Sequence, residues 1–251
     1  MRRAVLAAAV LLPAVLTSGC GGADDGTVLR VLAASSLAGP FEQIAEEFER
    51  THEGVDVQLS TGGSTDLVAQ VQEGAPADVL ATADTTTMEV AVADGLTDGE
   101  PRTFATNVLQ LAVPPGNPAG VTGLADLADP ARDVALVVCA PEVPCGAAAQ
   151  RVAGAEGVTL APVSEERSVG DVLGKVVSGE ADAGLVYVTD VRAAGDAVEG
   201  IELPEAADVV NDYPVAALAD ADEPDLAQEL VDLVLGDLGR QVLRDAGFGA
   251  P

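Results

Sequence analysis

Few residues of this chain could act as a nucleophile, a general base or a metal ligand. His52 is the single histidine, Lys175 is the single lysine, and there are three cysteines. His52 lies in a Thr-His-Glu-Gly segment that is typical of a helix C-terminus, where a solvated imidazole near the last carbonyls is the ordinary interpretation. Zinc sites and Ser/His or Cys/His catalytic sites therefore lack their usual residues.

A serine hydrolase is the enzymatic alternative. Ser36 and Ser64 follow predicted strands, and either hydroxyl could attack a substrate if a base lay beside it. That base would have to be Lys175, which we predict on a helix remote from both serines. Both serines are also good helix N-caps. We therefore expect that the protein is not an enzyme.

The charge balance excludes a large class of partners. The 251-residue chain has 41 acidic and 12 basic residues, which gives a formal charge of −29. A nucleic-acid-binding protein needs basic surfaces that displace counterions from phosphate. With no tryptophan, two tyrosines and four phenylalanines, the chain also has few rings on which bases or sugars could stack. A hydrophobic fraction of 48% still supplies a packed core.

The N-terminus has the pattern of an export signal. Two arginines precede an apolar run at 4–16, which is too short to remain in the membrane as a spanning helix. The segment Leu-Thr-Ser-Gly-Cys that ends at Cys20 resembles a bacterial lipobox. We expect removal of 1–19, lipidation of Cys20 and a flexible tether at 20–26. An ordinary secretory signal cut nearby is the alternative. Either way the protein is exported, to the outer face of the cell membrane or to the periplasm.

Export determines how the other two cysteines are interpreted. Cys139 and Cys145 lie six residues apart, and an oxidising compartment favours a disulfide over a metal pair or a catalytic thiol. We therefore predict that they are bridged.

Strands and helices alternate along the rest of the chain. Apolar segments predict strands at 28–33, 55–59, 79–81, 108–113, 134–138, 185–188 and 215–218. Helical spacing and turn residues predict helices at 37–48, 67–71, 86–93, from Gly146 onwards, and at 168–178, 225–235 and 239–246. The βαβαβα order of the first part predicts an α/β fold with a parallel sheet covered on both faces.

A sequence pattern that occurs twice indicates two similar structural units. Gly74–Leu80 and Gly179–Leu185 each turn from a glycine-ended helix through Ala-Asp into an apolar strand. Chance similarity of a common turn is the alternative. Two α/β lobes in an exported chain without a catalytic histidine favour a solute-binding protein, whose ligand lies between the lobes.

Six turn segments follow one another along the chain: Leu32–Leu37, Gly62–Leu67, Gly74–Asp78 leading to Ala83-Asp84, Pro141–Gly146, Gly184–Asp190 and Tyr213–Ala216. Taken together and in this order, they resemble the molybdate-binding proteins of bacterial ABC importers. The resemblance runs from about Val28 to Phe248.

The resemblance implies a two-lobed periplasmic-binding architecture, in which each lobe is a mostly parallel sheet flanked by helices. Lobe 1 is expected at 27–103 and 213–251, and lobe 2 at 104–212. The two crossings between them would form a hinge that allows closure over the ligand. The resemblance also implies a monomer without a cofactor, which docks on a membrane permease driven by a cytoplasmic ATPase.

The family's ligand set can be carried over residue by residue. The positions are the hydroxyls of Ser36, Ser64 and Tyr187 and the backbone N–H groups of Cys145 and Val169. Many relatives have alanine where this chain has Cys145. The doubled Ser35-Ser36 leaves open whether Ser35 takes the place of Ser36.

This set of donors suits a fully ionised tetrahedral oxyanion. Four of the positions lie near predicted helix starts, where free N–H groups favour an anion. The hydroxyls add neutral donors, and no acidic residue of the set would accept a hydrogen bond from a protonated phosphate. The turns offer neither the arginine of amino-acid binders nor the aromatic rings of sugar binders. We therefore predict molybdate or tungstate as the ligand, with another oxyanion such as sulfate as the alternative.

Overall fold

The computed structural model describes residues 26–129 and 131–251, so the predicted signal, the Cys20 anchor and most of the tether lie outside the described residues. None of the described helices is long and apolar enough to span a membrane. In chain order the elements are β1 (Thr27–Ala34), α1 (Ala38–Thr51), β2 (Val55–Gly62), α2 (Ser64–Gln72), β3 (Val79–Ala81), α3 (Thr85–Ala93), β4 (Arg102–Asn107), β5 (Leu109–Val113), α4 (Leu124–Ala128), β6 (Leu136–Cys139), α5 (Pro144–Ala155), β7 (Ser164–Glu166), α6 (Val169–Val177), β8 (Ala183–Tyr187), α7 (Val188–Ala194), β9 (Glu199–Ile201), β10 (Asn211–Ala217), α8 (Pro224–Leu235) and α9 (Asp237–Ala246).

The first sheet has five strands in the order β2-β1-β3-β10-β4. β1 pairs in parallel with β2 and β3, whereas β10 pairs antiparallel with β3 and β4. The helix α1 presents Phe41, Ile44 and Phe48 at helical spacing, and these side chains are buried in one core with Leu29 and Val31 of β1.

The second sheet repeats this arrangement in the order β7-β6-β8-β5-β9. β6 pairs in parallel with β7 and β8, whereas β5 pairs antiparallel with β8 and β9. In each sheet, four strands run one way and one runs the other way. The prediction of two α/β lobes with mostly parallel strands is confirmed in strand direction, although each sheet also contains antiparallel pairings.

The two predicted Gly-Ala-Asp turns occupy equivalent places in the two sheets, before β3 and before β8. Asp78 accepts a hydrogen bond from the Arg30 N–H at 2.6 Å and donates its own N–H to the Arg30 carbonyl at 2.8 Å. Asp182 makes the same pair of bonds with Ala135, each of 2.9 Å. The similarity between the two sequence segments therefore corresponds to a structural repeat.

The lobe boundaries lie elsewhere than predicted. The predicted change at 103/104 falls inside β4, which belongs to the first sheet because it pairs with β10. The chain passes to the second sheet across Val108 alone and returns where β10 begins at Asn211, two residues before the predicted position. Buried Phe104 and Ala105 belong to a strand that its own sequence signals poorly.

Several short elements were also not predicted. Val188 begins α7 and does not end the preceding strand, while α4, β7 and β9 have three to five residues each. Elements of this length are specified by their neighbours more than by their own periodicity.

Candidate anion-binding site

All five residues of the predicted ligand set line one cavity in the cleft between the two sheets. The cavity is small, and residues of both lobes form its walls. Its other lining residues include Ser35, Gly63, Ala83, Pro144, Arg167 and Ser168.

The repeated topology places the donors of the two lobes in equivalent positions. Ser36 lies in the 3₁₀ turn after β1, and Ser64 is the first residue of α2, after β2. In lobe 2, Cys145 is the second residue of α5, after β6, and Val169 is the first residue of α6, after β7. The first N–H groups of a helix have no intrahelical acceptor and lie at the positive end of its dipole. The cavity is thus surrounded by helix starts that favour an anion.

The local sequence explains where the two helices of lobe 2 begin. Pro144 is the first residue of α5, where its fixed φ suits a helix and its missing N–H is not needed. Ser168 caps α6, because its Oγ accepts the Asp171 N–H at 3.2 Å. Cys145 and Val169 therefore lie in the first turns of these helices, and both line the cavity.

Each hydroxyl at the cavity has a protein partner. Ser64 Oγ accepts the Ala83 N–H at 3.0 Å. The Tyr187 hydroxyl accepts from the Asn211 side-chain amide at 3.0 Å. Ser36 Oγ lies 3.0 Å from the Tyr213 hydroxyl. The side chains are therefore held in place by the protein itself.

Ser35 and Ser36 both line the cavity but have different surroundings. Ser36 is buried and contacts Tyr213 inside lobe 1. Ser35 Oγ accepts the Gly170 N–H at 3.3 Å, which is a contact between the lobes. The assignment of Ser36 as the ligand residue stays a prediction.

The two tyrosines are neutral hydrogen-bond donors. Burial is the main cause that raises the pKa of both Tyr187 and Tyr213. Their rings meet edge to face, with centroids 5.9 Å apart. Burial also raises the pKa of Asp190 to about 7, against the effect of a 2.9 Å hydrogen bond from the Tyr187 N–H.

One charged side chain that the sequence did not indicate lines the cavity. Arg167 lies at the edge of lobe 2, and its guanidinium pairs with Asp66 of α2 in lobe 1, with Nε 2.8 Å from Oδ2. Hydrogen bonding to Arg167 lowers the pKa of Asp66. The positive charge at the cavity is therefore already balanced.

Cys139 and Cys145 are joined by a disulfide in the structure, with Cα atoms 5.6 Å apart. The bridge links the end of β6 to the start of α5. Gly146 follows directly, and a β-carbon there would collide with the Ala140 carbonyl. The turn before α5 is thus restrained by the disulfide and closely packed at Gly146.

The remaining candidates for chemistry lie away from the cavity. His52 follows the end of α1, as predicted, and its Nδ1 lies 2.8 Å from the Phe48 carbonyl. It is half-buried and not simply solvated, because Nε2 lies 2.8 Å from Glu229 of α8. Lys175 Nζ lies 2.6 Å from Glu166 and contacts neither Ser36 nor Ser64.

The family model described as bacterial extracellular solute-binding protein matches residues 29–249. The chain belongs to this family. A curated relative of this solute-binding protein, the molybdate-binding protein ModA of Mycobacterium tuberculosis (strain ATCC 25618 / H37Rv), is 43% identical over 235 residues, which cover 94% of this chain and 89% of the relative.

Solved structures share the fold of this solute-binding protein. The periplasmic molybdate-binding protein of Azotobacter vinelandii matches with a TM-score of 0.74 at 23% identity, covering 89% of this chain and 99% of its own. The sulfate-binding protein SubI of Mycobacterium tuberculosis H37Rv matches with a TM-score of 0.71 at 20% identity, covering 88% and 86%. At these identities the likeness shows the two-lobed fold alone.

The cleft of this solute-binding protein is closed. Besides the Asp66–Arg167 pair, Thr65 Oγ1 of lobe 1 donates to the Glu142 carbonyl of lobe 2 at 3.2 Å. Both lobe-1 partners lie in the first turn of α2, so the lobes touch directly beside the cavity.

Sequence reasoning missed the residues that support the donors. The sequence placed Asn211 only beside a predicted crossing between the lobes, and it placed Tyr213 and Ala83 only within segments that carry the family resemblance. Their contacts join residues far apart in the chain, such as Ser36 and Tyr213, 177 positions apart. The one available signal was the placement of polar side chains beside a predicted hinge.

Proposed function

We propose that this chain captures molybdate, and tungstate equally, outside the cytoplasm for an ABC importer. The observation that carries the proposal is the meeting of five donor positions from both lobes around one small cavity. The 43% identity to a protein named molybdate-binding protein ModA supports the choice of ligand.

The donor set suits the chemistry of molybdate. At neutral pH the anion carries two charges and four oxygens that only accept hydrogen bonds. The Cys145 and Val169 N–H groups and the hydroxyls of Ser36, Ser64 and Tyr187 would each donate one bond. Affinity would come from these short contacts in a desolvated cleft, because a chain charge of −29 opposes long-range attraction of a dianion.

Sulfate is the second candidate, because the sulfate-binding protein SubI has the same fold. Sulfate has the same charge and shape but shorter bonds to oxygen, so a cavity sized for molybdate would leave some of its donors unsatisfied. Tungstate matches molybdate in size and charge, and we expect no discrimination between the two.

Export and anchoring complete the proposal. Removal of residues 1–19 and lipidation of Cys20 would hold the monomer at the outer face of the membrane, next to a permease driven by a cytoplasmic ATPase. A surface with this excess of acid would not recruit nucleic acid.

Enzymatic activity is not part of the proposal. The hydrogen bond to Glu166 raises the pKa of Lys175, so the amine would stay protonated and be a poor general base. A serine hydrolase built on Ser36 or Ser64 would therefore lack its base.

Calorimetric titration with molybdate, tungstate, sulfate and phosphate tests the proposal. We expect similar, tight binding of the first two and binding at least about a hundredfold weaker for the others. Equal binding of sulfate would refute the molybdate assignment. Turnover of chromogenic esters without oxyanion binding would favour the hydrolase instead.

A further inference from the structure

Asn211 is a buried polar residue that contacts the cavity residues from behind. It is the first residue of β10, where the chain returns to the first sheet, and is 1% exposed. Its Nδ2 donates to the Ala83 carbonyl and to the Tyr187 hydroxyl, at 3.0 Å each, and its Oδ1 accepts from Arg151 Nη2 at 3.2 Å. The amide therefore joins residues of both lobes.

These partners determine which end of the amide is the donor. The Ala83 carbonyl can only accept, and the Arg151 guanidinium can only donate. The NH₂ group must therefore face Ala83 and Tyr187, while the oxygen faces Arg151. It follows that the Tyr187 oxygen accepts from Asn211, and that the hydrogen of the phenol is left to donate to the neighbouring Tyr213 hydroxyl or, when an anion is bound, into the cleft.

Ser64 is held in the same way by Ala83, which is itself hydrogen-bonded to Asn211. The Ala83 N–H donates to Ser64 Oγ at 3.0 Å, so the hydroxyl hydrogen of Ser64 is also left free. The carbonyl of the same Ala83 is bonded to Asn211. One buried amide is thus connected to Tyr187 directly and to Ser64 through Ala83.

We propose that Asn211 is a positioning residue that turns the hydroxyl hydrogens of Tyr187 and Ser64 into the cleft, and so makes the site selective for fully deprotonated oxyanions. A cavity that offers only donors suits an anion that only accepts. A protonated oxyanion has an O–H group, which would find no acceptor there and would lose a hydrogen bond that it makes in water. This inference rests on the proposed function and names the residue that sets its selectivity.

Asn211→Asp tests the proposal with almost no change of shape. The new carboxylate has no NH₂ group, so the Tyr187 hydroxyl would donate to it and point its lone pairs into the cleft. We expect the affinity for molybdate to fall by about tenfold or more. We also expect the ratio of molybdate to phosphate affinity to fall, since an acceptor now faces the O–H of monoprotonated phosphate. Calorimetry with both anions at pH 6 and 8 measures both effects.

Two comparisons separate this role from simple destabilisation. Asn117→Asp makes the same chemical change at an amide whose hydrogen bonds within residues 26–129 and 131–251 are both to Val121, at 2.7 and 3.0 Å, and it should alter neither affinity nor selectivity. In a Tyr187→Phe background, Asn211→Asp should lower the affinity for molybdate much less than it does in the wild type. The reason is that most of its effect on binding depends on the Tyr187 hydroxyl.

A second variant covers the case in which Asn211→Asp does not fold. Asn211→Ala removes donor and acceptor together, and its folding is checked by thermal melting. It should bind molybdate more weakly than the wild type and show a smaller ratio of molybdate to phosphate affinity.

The outcomes distinguish the two proposals. A wild-type protein that binds none of these anions would overturn both. Normal binding by the wild type, with unchanged selectivity in the Asn211 variants or an equal loss in the Phe background, would overturn the role of Asn211 alone.

Discussion

Gly63 of lobe 1 and Arg167 of lobe 2 approach each other so closely that a β-carbon on Gly63 would collide with the Arg167 carbonyl oxygen. Gly63 directly precedes α2, whose first residue is Ser64, and its backbone is extended. Glycine is thus required here by the neighbouring lobe and not by the backbone conformation.

Gly63→Ala should weaken molybdate binding because the added methyl group keeps the lobes apart. We expect a loss of about 1 to 3 kcal/mol of binding free energy, as for other overpacked contacts. Calorimetry measures the loss, and the melting temperature without ligand should hardly move. Gly39→Ala in α1 is the control, because its new β-carbon would meet no atom within 4 Å. An affinity equal to that of the wild type in Gly63→Ala would show that closure tolerates the methyl group.

The Asp66–Arg167 ion pair should make a smaller contribution to closure. Its side chains are 34% and 60% exposed, and exposed pairs add little. We expect Asp66→Asn to speed molybdate release by less than about tenfold in stopped-flow experiments. Glu47→Gln, which removes the exposed pair with Arg50 inside lobe 1, is the control and should leave release unchanged. A loss of binding in Asp66→Asn as large as in Gly63→Ala would contradict this ranking.

The Asp66–Arg167 pair also determines how the stability of the closed form should change with pH. Arg167 lowers the pKa of Asp66 from 3.8 in the closed form. The pair therefore stabilises the closed form fully above pH 3.8, and this contribution is lost as the pH falls through the lowered pKa. Release from the wild type and from Asp66→Asn should converge in acid.

The disulfide should matter more for stability than for binding. The chain-entropy model gives on the order of 2 kcal/mol for so short a loop. Cys139→Ala/Cys145→Ala should lower the melting temperature accordingly, while the Cys145 N–H stays at the start of α5. Ser64→Ala should weaken molybdate more, because it removes a donor and leaves the buried Ala83 N–H without its acceptor. Thiol counting on the untreated protein checks the bridge, and two free thiols at 139 and 145 would refute it.

His52 gives the chain a simple titration, since it is the single histidine. The hydrogen bond to Glu229 is the main cause that raises its pKa above 6.5. The charged imidazole should therefore stabilise the fold fully below pH 6.5, and the contribution should be lost as the pH rises through the raised pKa. NMR titration should give a pKa above 6.5, and melting temperatures of the wild type and His52→Gln should converge at alkaline pH. A pKa at or below 6.5 would show that the pair does not form in solution.

Most of the strands and helices could be predicted from the sequence, because their apolar residues follow clear strand or helix periods. The strand at 28–33 and the helix at 37–48 have clear periods, and both appear with small changes of boundary. The strand Arg102–Asn107 was missed, since only pairing with β10 makes that mixed segment a strand. The lobe boundary was misplaced for the same reason.

The site was predictable where a helix start or a turn marked it, and unpredictable where the partners were distant in the chain. Ser64 and Val169 open helices after glycine and serine, which are local signals. Arg167 meets Asp66 across 101 positions, and Asn211 meets Ala83 across 128. No local pattern encodes such pairs, because the folding of lobe 1 brings Asn211 to Ala83, and only the contact between the lobes brings Arg167 to Asp66.

The two connections between the lobes leave the first sheet side by side. Asn107 at the end of β4 is the register partner of Asn211 at the start of β10, and Val108 alone separates β4 from β5. Because the first connection is a single residue and the second leaves the neighbouring strand beside it, the lobes can slide and separate little, and their relative motion is mainly one rotation about this pair of connections. Ligand exchange is then governed by how often that single rotation breaks the contacts across the cleft.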